Sequence, residues 1–195
     1  NDKTVTVMVD GAAHTVRTHL NSNEGIVRDA GVKLNPNDKV ISSSTSVQNG
    51  TTLTVVRAIP VYVTVNGRTR AVFTTETTAQ GVANELGFKT PNYVVVGDAN
   101  GSVLSGTHIT IAQVTSRSLS TVDQEVAIEV IRQKDDTMAK GEEEVVQVGQ
   151  PGLERVQRET LYSNGTVIKT NDVSKVTQRA MVPTIIKEGT REVTT

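Results

Sequence analysis

The stretch VYVTVNG, Val61–Gly67, decides the architecture of the first part of the chain. Its apolar and polar residues alternate, which is the period of a β-strand with one buried face. The stretch ends on Asn-Gly, a dipeptide that supplies the positive φ angles of a two-residue hairpin turn. A second version, VTVMVDG, lies at Val5–Gly11 and ends on Asp-Gly. The two stretches therefore predict two β-hairpins of one design.

The similarity continues beyond the hairpins at a constant shift of 56 residues, from Val5 to Val61. At this shift GTTLTV, Gly50–Val55, falls on GTHITI, Gly106–Ile111. Similarity at a fixed period indicates repeated structural units. The sequence thus predicts two copies of one small fold in tandem.

Each copy predicts a short helix after its hairpin and two further strands after the helix. The second copy predicts a helix over Ala79–Leu86, with Thr77 or Thr78 as N-cap. The helix stops at Gly87, which favours the left-handed conformation. The corresponding N-cap and stop of the first copy are Ser22 or Asn23 and Gly31. The order β-β-α-β-β is that of a ubiquitin-like β-grasp fold, in which one helix covers one face of a sheet.

The pattern changes at about Ser118, beyond which no helix is indicated. Alternating runs with few large apolar residues predict long strands in a thin, elongated sheet with little core. These runs are Val126–Ile131, Glu143–Val148, Glu154–Tyr162, Gly165–Thr170 and Arg179–Ile186. The predicted fold class is α+β followed by all-β. The predicted domains are residues 1–58, 59–117 and 118–195.

Composition excludes several classes of protein. The formal net charge is −1, from 20 basic and 21 acidic residues, which argues against a nucleic-acid partner. No apolar run approaches the roughly 20 residues that span a bilayer, so no membrane insertion by this segment is expected. The absence of Cys removes disulfides and thiolate chemistry from the chain. Because the sequence begins with Asn1, we expect a mature form or a piece of a longer protein, with any anchor or further repeat preceding it.

No catalytic residue, metal site or cofactor is predicted. The densest acidic cluster, Glu142–Glu144, alternates between two faces of a predicted strand and is best interpreted as a solvated edge. Lys134–Asp136 is interpreted as a polar turn. The histidines, His14, His19 and His108, have no third ligand at a familiar metal spacing.

Five glycines punctuate the last part of the chain. Together with KGEEEVVQVGQPG, Lys140–Gly152, they resemble a five-glycine (G-five) domain over about Ser118–Val193. The glycines are Gly141, Gly149, Gly152, Gly165 and Gly189. The two preceding repeats resemble ubiquitin-like repeats of unknown function that occur upstream of that domain. The combination is similar to the non-catalytic part of resuscitation-promoting factors, a family of cell-wall peptidoglycan hydrolases.

The resemblance implies a secreted protein of the cell wall or cell surface, with a lysozyme-like catalytic domain elsewhere in the same polypeptide. That enzyme would be a peptidoglycan glycosidase or lytic transglycosylase. It also implies peptidoglycan or another cell-wall glycan as a partner. Polar residues of one predicted strand are the candidate glycan-binding set: Arg155, Gln157, Arg158 and Tyr162. Short connections near Arg57–Pro60 and Val114–Ser118 suggest limited motion between units.

Two other functions stay open from the sequence. One is a structural adhesin stalk on a Gram-positive surface that acts by self-association or by zinc-linked assembly. The other is a protein-interaction module, because ubiquitin-like units present sheet faces to partners.

Overall fold

The computed structural model describes residues 1–194 and divides the chain into two compact units, Asn1–Val114 and Thr115–Thr195. Thr195, the last residue of the predicted third domain, lies outside the described residues. The first unit contains β1 (Lys3–Val9), β2 (Ala12–Thr18), α1 (Asn23–Asp29), β3 (Lys39–Ser42), β4 (Thr52–Val56), β5 (Ile59–Val65), β6 (Arg68–Thr74), α2 (Ala79–Glu85), β7 (Tyr93–Val95) and β8 (His108–Gln113). The second contains β9 (Ser116–Val126), β10 (Val130–Ala139), β11 (Glu143–Gln147), β12 (Gly152–Ser163), β13 (Thr166–Arg179) and β14 (Thr184–Arg191).

The two predicted hairpins form as the sequence indicates. Asp10 and Gly11 join β1 to β2 with φ angles of 48° and 78°. Asn66 and Gly67 join β5 to β6 with φ angles of 52° and 75°. Positive φ at both central residues is the signature of the type I′ turn, whose twist matches that of the paired strands.

The first unit holds two four-stranded sheets with the same topology. Their strand orders are β2-β1-β4-β3 and β6-β5-β8-β7. In each sheet the hairpin is antiparallel, and the first strand is parallel to the last strand of its half. The predicted order β-β-α-β-β is therefore present twice, once in each half of the unit.

Both helices begin at the predicted capping positions. The Ser22 side chain accepts a hydrogen bond from the Gly25 N–H at 3.2 Å, and Thr78 accepts one from the Gly81 N–H at 3.0 Å. Each bond satisfies a backbone donor that has no partner inside the helix. The second helix ends at Glu85, and Leu86 is its C-cap, one residue earlier than predicted. No helix among residues 1–194 is long and apolar enough to cross a membrane.

Each sheet of the first unit buries alternate residues of its strands against its own helix. Val61 and Val63 of β5 have no exposed surface and pack with Val82 of α2. Val5 and Val7 occupy the same places in the first half. Alternation puts these valines on one face of the sheet, as the period of two requires. Each half of the unit thus has its own small aliphatic core.

The second unit contains two three-stranded sheets, β13-β12-β9 and β10-β14-β11. Two sequence predictions are wrong here. The run Val126–Ile131 is not one strand, because β9 ends and β10 begins inside it, in different sheets. The run Arg179–Ile186 is likewise divided between the end of β13 and the start of β14. The boundary predicted between 117 and 118 falls inside β9, where Ser116 already pairs with Tyr162.

The core of the second unit is sparse. Among its described residues, Val156 and Leu161 of β12 are the buried apolar side chains. Valines such as Val145, Val167 and Val176 are more than half exposed. Burial of apolar area therefore stabilises this unit less, per residue, than it stabilises the first.

The five glycines of the second unit have two different structural roles. Gly141 and Gly165 adopt positive φ angles of 93° and 82° in turns. Gly149, Gly152 and Gly189 are required because there is no space for a Cβ atom, and not because φ is positive. A Cβ at Gly189 would lie 1.9 Å from the Ala139 carbonyl oxygen. Gly189 lies where the pairing of β10 with β14 is irregular, between Asp135 and Ala139, so the strands approach more closely there than a side chain allows.

We expect Gly189→Ala to lower the free energy of unfolding of the second unit by at least about 2 kcal/mol, because the added methyl group overlaps backbone atoms that cannot move aside. Gly141→Asn is the matched control. Its position is open and has positive φ, so its cost should be about 1 kcal/mol or less. Urea denaturation, followed by hydrogen exchange of β12 and β14 amides, measures both. Equal stability of the two variants would contradict the steric explanation.

Candidate functional site

The four residues predicted to bind glycan all lie on β12, the central strand of the sheet β13-β12-β9. The pairing of β12 with β9 runs from Gly152 to Tyr162 without a register shift. Side chains along β12 therefore alternate strictly between the two faces of the sheet. Arg155 and Gln157 lie on one face, and Arg158 and Tyr162 lie on the other. The structure thus brings the predicted residues together in two pairs rather than as one set of four.

The face with Arg155 and Gln157 is dominated by ion pairs. The Arg155 guanidinium donates to both carboxylate oxygens of Asp123, at 2.8 Å and 3.0 Å. These hydrogen bonds and the positive charge hold the pKa of Asp123 below its ordinary value, against the opposing effect of burial. Arg117 and Glu159 form a second pair at 3.1 Å on the same face. The charged groups of these two pairs are thus already engaged with one another.

The opposite face combines one ion pair with an aromatic ring. Arg158 donates through Nε to Asp172 at 2.8 Å, and the pKa of Asp172 is lowered mainly by that hydrogen bond. The Tyr162 hydroxyl lies 3.3 Å from the Ser118 hydroxyl. Arg158 and Tyr162 are separated by about 13 Å along the strand, at roughly 3.3 Å per residue. A ligand that touches both side chains must be longer than one sugar ring.

The segment Lys134–Asp136 lies within β10, so its prediction as a polar turn is wrong. Ion pairs around β14 hold this segment and the acidic cluster. Arg132 pairs with Glu143 at 2.8 Å and also with Glu188. Asp135 accepts hydrogen bonds from the hydroxyl and the N–H of Thr137 and pairs with Lys187 at 3.1 Å, which lowers its pKa to about 2. A carboxyl group with so low a pKa stays ionised at neutral pH and is no proton donor.

The histidines do not assemble a metal site. His19 lies 3.0 Å from Asp2, and the His108 ring stacks on Tyr62 with centroids 4.9 Å apart. Within residues 1–194, no three His, Cys, Asp or Glu side chains are placed to hold a metal ion together. His14 is exposed on β2.

A second polar cluster joins the two halves of the first unit, and the sequence analysis located only part of it. The buried Asp38 carboxylate accepts hydrogen bonds from Arg57, from the Asn35 N–H and from the Ala58 N–H, each at 2.8 Å. The next residue along the loop, Asn37, donates to the Phe73 carbonyl in the second half at 3.0 Å. The short connection at Arg57–Pro60 was predicted. Asp38 was missed, because nothing in the local sequence marks it as the acceptor for that connection.

Comparisons with known families find matches to two kinds of domain in the chain. The model of the G5 domain matches residues 117–191. The model described as the G5-linked-Ubiquitin-like domain matches residues 5–42 and 61–91. Both are non-catalytic domains. A search of curated proteins finds no match to the chain.

Two solved structures of G5 domains are similar to part of the chain. The HP0197 G5 domain has 19% sequence identity and a TM-score of 0.33, covering 38% of this chain and 96% of its own. The IgA1 protease G5 domain has 22% identity and a TM-score of 0.24, covering 39% and 89%. The predicted five-glycine domain is confirmed by the family match. The chain contains a G5 domain preceded by two G5-linked ubiquitin-like domains.

Proposed function

We propose that this chain is the non-catalytic wall-binding and spacing region of a secreted peptidoglycan hydrolase similar to the resuscitation-promoting factors. The lysozyme-like domain that it positions belongs to the same polypeptide outside this sequence. The observation that carries the proposal is the domain order, two ubiquitin-like domains followed by a G5 domain. G5 domains occur in extracellular or surface proteins, which supports a place in or near the cell wall.

The two halves of the first unit are, in this proposal, ubiquitin-like β-grasp repeats at 1–58 and 59–117, followed by the G5 domain at 118–195. In support, each half has one helix on one face of a four-stranded mixed sheet. The repeats act as spacers rather than as catalytic units.

Glycan binding is assigned to the face of β12 that carries Arg158 and Tyr162. An aromatic ring stacks on the apolar face of a sugar, and a guanidinium donates hydrogen bonds to hydroxyl, amide or carboxylate oxygens of the polymer. The opposite face has no aromatic side chain among the four predicted residues. Weak binding is sufficient, because a tethered domain meets its polymer at high effective concentration.

The spacing role depends on a stiff connection between the repeats. Burial of Asp38 opposes its ionisation, but hydrogen bonds from Ala58, Arg57 and Asn35, together with the Arg57 charge, lower its pKa below the ordinary value. Arg57 also donates to Asp10, through Nε and Nη2, at 3.1 Å and 3.0 Å. The connection is therefore anchored on the first repeat at the point where the second begins.

The glycan assignment predicts that the chain pellets with purified peptidoglycan sacculi and that Arg158→Gln/Tyr162→Ala weakens this binding roughly tenfold. A tenfold loss corresponds to about 1.4 kcal/mol, the scale of one hydrogen bond to a charged group plus a ring contact. The matched control is Arg155→Gln/Gln157→Ala, which removes an ion-paired arginine and a second polar side chain from the opposite face. Co-sedimentation at several chain concentrations measures all three proteins, with circular dichroism to verify folding.

Equal loss of binding in both double variants would contradict the assignment to one face. A chain that does not pellet would remove the glycan-binding part of the proposal and leave the spacer part. Pelleting or self-association that requires zinc, and is abolished by a chelator, would favour the adhesin stalk instead.

The spacing role predicts that Asp38→Asn loosens the connection between the repeats. Whichever way the Asn amide is turned, its NH2 group faces an N–H donor, so Ala58 or Arg57 loses its acceptor. Asp10→Asn is the matched control, because Asp10 also pairs with Arg57 but is exposed. The chain has no Cys, so nitroxide labels at Asp29→Cys and Lys89→Cys report the distance between the repeats by electron–electron double resonance.

We expect a broader distance distribution for Asp38→Asn and an unchanged one for Asp10→Asn. The same broadening should appear in the unmodified sequence at low pH. Because the folded-state pKa of Asp38 is lowered, its contribution is complete above the ordinary value of about 3.9 and is lost as the pH falls through the lowered value. Distributions of equal width at pH 7 for all three proteins would contradict the role of Asp38.

A further inference from the structure

The second ubiquitin-like domain has a cavity that the proposed function does not use. The cavity has a volume of about 360 Å³. In the second domain it opens beside the β5–β6 hairpin, where the core ends. Its lining residues are Val63, Val65, Arg68, Thr69, Arg70 and Phe88. The floor is thus apolar, and the rim carries two guanidinium groups.

Neither guanidinium on this rim has a partner within the described part of the chain. Arg68 and Arg70 are exposed and make no side-chain hydrogen bond or ion pair with residues 1–194. Several other arginines are paired with carboxylates, among them Arg57, Arg132 and Arg155. Two unpaired positive charges beside an apolar cavity favour a ligand that carries negative charge next to an apolar group.

The backbone at this rim is also open to a partner. Strand β6 is the edge of the sheet β6-β5-β8-β7 and pairs with β5 alone. Its far end is covered at Phe73, whose carbonyl accepts the hydrogen bond from Asn37. No described backbone group outside β5 bonds to β6 between Arg68 and Val72. An exposed edge of this kind accepts an additional strand from another chain.

The spacing of the two arginines matches the period of an added strand. Arg68 and Arg70 are two residues apart, so their side chains share one face of β6, about 6.6 Å apart at roughly 3.3 Å per residue. In the pairing with β5 they lie opposite Val65 and Val63, on the core side of the sheet. Carboxylates two residues apart on an added strand would lie at the same separation and on the same face.

The first ubiquitin-like domain lacks this charge. At the shift of 56 residues, Arg68 and Arg70 correspond to Ala12 and His14. Both are on β2, in the same hairpin position. The apolar floor remains, because Val63 and Val65 correspond to Val7 and Val9 of the first core. The two domains therefore share a fold and differ in the charge that the edge strand carries at this position.

We propose that the edge strand β6 of the second domain binds an extended acidic peptide segment of a partner protein as an added strand. Two carboxylates at positions i and i+2 of the peptide pair with Arg68 and Arg70. An apolar side chain two residues further along, on the same face, enters the cavity above Val65 and Phe88. This site is separate from the glycan-binding face of the G5 domain, and each can fail without the other.

A peptide fits these features better than an anionic polysaccharide or polyphosphate. Backbone pairing uses the free N–H and C=O groups of β6, which a polyphosphate cannot match in donors and acceptors. The apolar floor also has no function toward a uniformly charged polymer. Specificity would come from the alternation of carboxylates and apolar residues along the peptide.

The test uses the whole chain and a fluorescein-labelled peptide with the sequence Leu-Thr-Glu-Thr-Glu-Thr-Leu. Its leucines and glutamates share one face of a strand. Fluorescence anisotropy should show saturable binding that weakens with added salt, as expected for exposed charge pairs. Arg68→Gln/Arg70→Gln should weaken it at least tenfold. Arg28→Gln, which removes an exposed guanidinium from the first domain, should leave it unchanged.

A second peptide, Leu-Glu-Thr-Glu-Thr-Thr-Leu, has the same composition but places its glutamates on the opposite face. It should bind at least fivefold more weakly than the first. Amide chemical shifts measured by NMR should change along β6 and around Phe88, and the β6 amides should become protected from exchange. Transfer of the rim to the first domain by Ala12→Arg/His14→Arg should create a second site.

Four outcomes would overturn the proposal. They are equal affinity for the two peptides, binding unaffected by Arg68→Gln/Arg70→Gln, shift changes that avoid β6, and saturable binding of polyphosphate in place of the first peptide. The last would assign the rim to an anionic polymer. Sacculus binding measured on the same variants keeps this result distinct from the outcome for the G5 domain.

Discussion

One seven-residue helix is all that each ubiquitin-like domain has to cover a four-stranded sheet. A domain this small buries a modest fraction of its surface, so the few side chains under the helix must carry most of the stability. Strict alternation in β1 and β5 follows from this constraint, since every valine that pointed outward would be lost to the core. The opposite sheet face and the sheet edges remain exposed, and these are the surfaces on which the domains can make contacts.

The G5 domain meets the same problem without a helix. Its central strand β12 buries Val156 and Leu161, and cross-strand ion pairs occupy much of the remaining surface. Exposed ion pairs contribute little individually, so backbone pairing over the long strands carries the fold, without a register shift between β12 and β9 and with several between β12 and β13. At Gly189 the backbones of neighbouring strands approach closely, and these strand contacts, which take the place of a core, leave no space for a side chain.

Local signals were the predictable part of this structure. The type I′ hairpins and the caps at Ser22 and Thr78 are each determined by a few neighbouring residues. The split of the run Val126–Ile131 was not predictable from periodicity, because alternation continues when a chain passes from one sheet to another. Asp38 accepts a hydrogen bond from the Ala58 N–H, 20 residues away in sequence, and no local sequence pattern indicates such a bond.

The candidate site illustrates a signal that was present but not used. Arg155 and Arg158 differ by an odd number of positions, so a regular strand must place them on opposite faces. Arg68 and Arg70 follow the predicted hairpin turn, and no other role was predicted for them from the sequence. Their isolation from carboxylates depends on how distant residues pack, and sequence order does not contain that information. The sheet face on which a strand residue lies is therefore predictable from the sequence, whereas its partner on another strand can be identified only from the folded structure.

The parallel pairing of β1 with β4 and of β5 with β8 has a mechanical consequence for the proposed spacer role. Each domain begins on one of these strands and ends on its parallel neighbour. Tension applied to the two ends pulls the neighbours in opposite directions along their length. The hydrogen bonds between them are then loaded in shear and must break together, rather than one after another as in peeling. Such a connection resists extension under load.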